Sequence, residues 1–117
     1  IFLAELELLE GQKKRAEAAL LNTWKAIPHP DIAKKFAEIE KKESVDDRIE
    51  RFKKILNVKK TDIETKMLKA ELNILSENFP EARRSIIDLI ETDKANVKVY
   101  TLMAAIEKGV GSSQSQW

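Results

Sequence analysis

The chain has 117 residues, 43% of them apolar and 35% charged, with no cysteine and with 21 Lys and Arg against 20 Asp and Glu for a net charge of +1. That apolar content can fill one modest core and excludes a disordered composition, while the charge balance gives no field to steer a polyanion. The lack of cysteine excludes disulfide frameworks, thiolate metal centres and cysteine nucleophiles, and no apolar run approaches the roughly 20 residues of a membrane span. No signal peptide is visible, and the chain begins at Ile1, so it reads as a piece of a longer protein.

Segments 1–10 and 12–26 carry apolar residues at helical spacing, and Gly11 between them can supply a left-handed helix end. Pro28-His29-Pro30 cannot continue a helix. A third helix is predicted over 30–43. Ser44 with Asp47 has capping-box spacing and opens a fourth over 45–57. Thr61 with Glu64 repeats that spacing ahead of 62–77. Asn78 with Glu81 does so ahead of 79–91, with Pro80 in a first turn, where its missing N–H does no harm. A seventh helix covers 95–108, and 109–117 reads as a flexible tail or the start of a further helix. Strand signals are weak, because few β-branched residues alternate. Glu38–Lys42, Asp47–Arg51 and Glu50–Lys54 lie one turn apart on outer faces, each worth a few tenths of a kcal/mol.

The segments repeat. Ala4-Glu5-Leu6 recurs as Ala37-Glu38-Ile39 and again, at the same spacing, as Ala70-Glu71-Leu72. At one fixed distance after each Ala come Ala16, Ile49 and Ala82, then Leu20, Phe52 (one place early) and Ile86. Ala104-Ala105-Ile106 looks like a fourth unit shifted by one added residue. Helix pairs this short cannot bury their apolar faces alone, and stacking each on its neighbour makes a continuous core. A period of about 33 to 34, with Ala at the close-contact sites and Pro28 closing the first unit, is the tetratricopeptide (TPR) pattern. The expected fold is therefore all-α: a right-handed α-solenoid of antiparallel pairs over 1–108, seven helices in about three and a half repeats at 1–29, 30–62, 63–96 and 97–117. The first-helix Trp, Gly and Tyr of the TPR pattern are not reproduced. A simple antiparallel bundle is the alternative.

Ala70-Glu71-Leu72, Phe79-Pro80-Glu81-Ala82-Arg83-Arg84, Leu102-Met103-Ala104-Ala105-Ile106-Glu107 and Arg48-Ile49-Glu50-Arg51-Phe52 resemble the carboxy-terminal TPR region of HemY-like proteins of α-proteobacteria. Trp117 after Gly109-Val110-Gly111 fits the same resemblance. It implies a soluble helical-repeat domain on the cytoplasmic side of a parent anchored in the bacterial inner membrane by two amino-terminal spans. It also implies an association with late haem biosynthesis and no catalytic site on this stretch.

No residue pattern asks for an enzyme, a metal or a cofactor. His29, the single histidine, sits between two prolines and reads as a turn residue rather than a haem or metal ligand. Gly109-Val110-Gly111 is too little for a phosphate cradle. The basic pairs are interleaved with Glu and Asp, so no nucleic-acid groove and no membrane contact are expected. Trp24 reads as a packing residue. The recurring Glu5, Glu38 and Glu71 are sharper: stacked units would place them in one column on the first helices, which line the concave groove of a TPR array. Lys34, Lys41, Glu64, Met67 and Ile74 share that register. Such a groove could bind a protein or peptide through its carboxylates. The other expectations are a haem- or porphyrin-binding module, drawn from the resemblance alone, and oligomerisation through exposed solenoid ends.

Overall fold

The computed structural model describes the backbone of residues 2–114 and the side chains of residues 9–111; Trp117 lies outside the described residues. Within that range the chain is all-α: α1 (Phe2–Ala26), α2 (Pro30–Ile39), α3 (Val45–Leu56), α4 (Ile63–Leu75), α5 (Phe79–Glu91) and α6 (Val97–Gln114). None of these helices is long and apolar enough to cross a membrane.

Six described helices replace the seven expected, because α1 does not break at Gly11. A glycine inside a helix costs only about 1 kcal/mol relative to Ala. Here it is flanked by Leu, Glu, Lys, Arg and Ala, all strong helix formers. The helix forms one rod about 37 Å long. A second departure is at the other end. The segment expected as a tail from 109 is helical to Gln114, with both Gly109 and Gly111 inside α6.

The helix starts follow local chemistry. His29 caps α2, its Nδ1 accepting the amide N–H of Asp31 at 3.1 Å, and Pro30 follows at the first position. Ser44 caps α3 as expected, its Oγ accepting from the Asp47 amide at 3.1 Å. At α4 the cap is Asp62 rather than Thr61; its carboxylate accepts from the Glu64 amide at 2.9 Å. Asn78 precedes α5 without a side-chain cap bond, and Pro80 sits in the first turn. The Asn96 Oδ1 accepts from the Val99 amide at the start of α6. The ends of α4 and α5 share one device. Glu77 (φ 61°) and Asp93 (φ 58°) turn left-handed. The next amides, Asn78 and Lys94, donate back to Asn73 at 2.8 Å and Leu89 at 2.7 Å. This is the Schellman closure, made here with non-glycine residues at the strained position.

The chain divides into two compact units, one ending at Lys59 and one beginning at Lys60. In the first, α1 packs on α2 and also touches α3. Trp24, Ile32, Phe36, Phe52 and Ile55 are buried there, and the Phe36 and Phe52 rings meet edge to face with centroids 4.8 Å apart. In the second unit α4 pairs with α5, and α6 packs against both. Their core joins Met67, Ala70, Ala82, Ile86, Leu89, Val99, Met103 and Ile106. Ala70 and Ala82 have no exposed surface; side chains this small let the helices approach closely. Met103, one full period after Ala70, is buried while Ala104 is exposed. The fourth unit is expected to start at Ala104, which is the exposed one of the two. Gly109 has a packing reason of its own, since a Cβ there would overlap the Phe79 ring.

Candidate functional site

The residues expected to line a groove sort into two groups by unit. In the first, Lys34 and Glu38 lie one turn apart on α2, both exposed, and Lys41 is exposed just beyond its end. Glu5 lies on α1 but its side chain is outside the described residues. In the second, Glu64 is half-buried in the first turn of α4. Glu71 is partly exposed and reaches Lys98 of α6 at 2.8 Å. Met67 is not a groove residue. It is 1% exposed and belongs to the core shared by α4, α5 and α6. Ile74 likewise packs against that core. The reason is the third helix: α6 covers the side of α4 that a two-helix hairpin would leave open, so apolar residues on that side are consumed by packing. Glu71 survives there because Lys98 pairs with it at the rim, an exposed contact worth at most about 1 kcal/mol.

His29 is bound into the α2 cap, with a side chain more than half exposed. Trp24 is 1% exposed, a core residue. A cleft of about 450 Å³ opens between the start of α5 and the end of α6, lined by Phe79, Arg83, Ile106, Glu107 and Val110 among others. Its size is at the lower end of small-ligand sites, and among the described residues no group of acids and histidines is placed to hold a metal ion.

The densest chemistry lies elsewhere, in a charge cluster that joins the three helices of the first unit. Arg51 of α3 donates from Nε and Nη2 to the two oxygens of Glu43 at 2.9 and 2.8 Å, and from Nη1 to Glu17 of α1 at 3.0 Å. Its guanidinium lies 4.5 Å from the Phe36 ring centroid and 5.5 Å from that of Phe52, within the range of cation–π attraction. Arg48 donates to Glu43 at 3.0 Å and reaches the carbonyls of Ala37 and Glu40 at 3.5 and 3.3 Å. It thereby satisfies the end of α2, which stops at Ile39 rather than running to 43. Lys54 joins Glu17 at 3.3 Å, and Lys13 of α1 joins Glu40 at 3.1 Å. The side chains of Glu43, Arg51 and Glu17 are only 8%, 11% and 13% exposed. Hydrogen bonds from Arg51, then from Arg48, hold the Glu43 carboxyl below the usual carboxylate range against the opposing effect of burial. For Arg51, burial works against the charge, but its bonds to Glu43 and Glu17 win and push it up.

Sequence reasoning placed Arg51 beside Asp47 and Lys54 beside Glu50, one helical turn away. The structure sends Arg51 to Glu17 and Glu43 instead, and Glu50 to Lys53 at 2.6 Å. Partners as far apart in the chain as Glu17 and Arg51 leave no local signal; the one trace was Arg51 next to the buried Phe52.

Compared with protein-family models, with curated proteins and with solved structures, the chain matches none.

Proposed function

We propose that this chain is a non-catalytic protein-interaction scaffold, a stretch of TPR-like helix pairs in a right-handed α-solenoid. The single observation that carries the reading is the nesting of α4, α5 and α6 around the fully buried Ala70 and Ala82, with Met103 in the same core. A hairpin followed by a third helix seated on both of its members is the step by which such arrays grow. Arrays of this kind present rows of side chains from successive first helices to peptides or helices of other proteins. The partner-facing residues are Lys34, Glu38 and Lys41 at α2, with Glu64 and Glu71 on α4; Met67 and Ile74 serve packing. The resemblance to HemY-like proteins extends the proposal to a parent anchored in the bacterial inner membrane, whose partners belong to late haem biosynthesis.

The test is site-specific photo-crosslinking from Lys41 in the full chain, with Lys94 as a control on an inter-helix turn. Crosslinks to a defined polypeptide from position 41, lost on Lys34→Glu with Glu38→Lys while helicity is unchanged, support the scaffold. Equal labelling from both positions, or labelling that survives charge reversal, contradicts it.

A further inference from the structure

We propose that the Glu43–Arg51–Glu17 cluster is an acid-sensitive latch that holds α3 in the first unit and lets it go when Glu43 takes a proton. The argument starts from what else attaches α3. Its contact with α1 is slight beside that of α1 with α2. The ring contact of Phe36 with Phe52 is roofed by the Arg51 guanidinium. All three Arg51 hydrogen bonds run to carboxylates, two to Glu43 and one to Glu17. Arg51 is thus a nearly buried cation set over two aromatic rings, kept there by acids from α1 and from the α2–α3 turn.

Taking away one partner of a buried ion pair leaves the other charge uncompensated, which is far worse than losing a surface bridge. A protonated Glu43 keeps one acceptor oxygen but loses its charge. The charged groups that face it are Arg48 and Arg51 of α3, while Glu17 of α1 shares Arg51 with it and Lys54 in turn holds Glu17. Lys13 with Glu40 ties α1 to the end of α2 nearby. Protonating Glu43 therefore leaves the Arg48 and Arg51 guanidinia close together with one carboxylate fewer between them. The sign follows from the lowered Glu43 value. Its contribution is complete above the ordinary carboxylate value and is lost as pH falls through the lower folded one. Among the described residues the second unit has no equivalent. Its bridges Lys98–Glu71 and Lys66–Asp88 sit at the rim with the carboxylates 41% and 50% exposed. Release of α3 would uncover Phe36 and Phe52, turning a structural joint into a new apolar surface.

The experiment is amide hydrogen exchange by mass spectrometry on the full chain between about pH 7 and pH 3, each rate divided by its intrinsic value. The expected result is a loss of protection in α3 that sets in below about pH 4, with α5 still protected. Glu43→Gln should open α3 already at neutral pH and leave little further pH dependence. Glu50→Gln, an exposed acid on the same helix paired with Lys53, should keep the wild-type profile. If Glu43→Gln fails to fold, Glu17→Gln removes the charge of the second acid that holds Arg51 and should raise the pH at which α3 opens. Protection in α3 that outlasts that of α5 as the pH falls overturns the latch. So does a loss shared equally with α5, or a profile unchanged by both the Glu43 and the Glu17 substitution.

Discussion

Replacing each of the three glycines by alanine gives two different answers, one for Gly11 and Gly111 and another for Gly109. A glycine inside a helix ordinarily costs about 0.5–1 kcal/mol relative to alanine. Gly11 and Gly111 have nothing within 4 Å of an added Cβ, so Gly11→Ala and Gly111→Ala should each recover close to that amount. Gly109 has the same backbone benefit, but an added Cβ would fall inside contact distance of the Phe79 ring, which packs partly buried against the core of α4, α5 and α6 and must shift to admit it. Overpacking of this kind costs about 1–3 kcal/mol. Gly109→Ala should therefore be less stable than Gly111→Ala by about that margin, and at or below wild type. For a chain of this size about 1 kcal/mol moves Tm by about 4 °C, so thermal unfolding followed by circular dichroism resolves the difference. A double-mutant cycle with Phe79→Ala should give a coupling above about 0.5 kcal/mol, since the clash is between those two residues. A Gly109→Ala variant that gains as much Tm as Gly111→Ala would refute the docking of α6 on the start of α5. Three neutral substitutions would refute both the unbroken α1 and the extension of α6 to Gln114.

Other outcomes follow from the same geometry. Glu77→Gly and Asp93→Gly relieve left-handed strain worth about 1 kcal/mol each, offset in part by the greater freedom of glycine in the unfolded chain, so each should raise the urea midpoint slightly. Replacing either by valine should lower it by a larger amount. Met67→Ala should destabilise by about 2–5 kcal/mol, as expected of a core residue, where a groove residue would cost much less. Glu71→Gln should change stability by less than about 1 kcal/mol, with the effect fading as salt is raised.

What could be read in the sequence was what local chemistry decides. Ser44, Pro30 and Pro80 start helices where their side chains and ring geometry say they should, and the recurrence of the Ala-Glu-Leu tripeptide located Ala70 and Ala82 as close-contact sites. Asp62 displaced Thr61 as a cap by a single place, a boundary that propensity alone resolves poorly. Gly11 misled because a glycine flanked by strong helix formers costs too little to end a helix. Gly109 misled in the opposite way: it looked like a tail residue, whereas the close approach of Phe79 requires the missing side chain. Met67 and Ile74 were assigned to a groove because register gives a helix face but not what covers it, and α6 covers that one. The Arg51 cluster was out of reach for the same reason, since its partners come from α1 and from the turn after α2.

The nesting of α6 on the α4–α5 pair supports everything proposed about function, and methyl–methyl nuclear Overhauser contacts in selectively labelled protein report on it directly. The structure predicts contacts that join the methyls of Met67, Ala70, Ala82, Val99 and Met103 into one network, with the methyl of Ala104, on the exposed side of α6, outside it. A spectrum in which Val99 and Met103 see only their own helix, or in which Ala104 takes the place of Met103, would contradict the packing and remove the basis for a repeat scaffold.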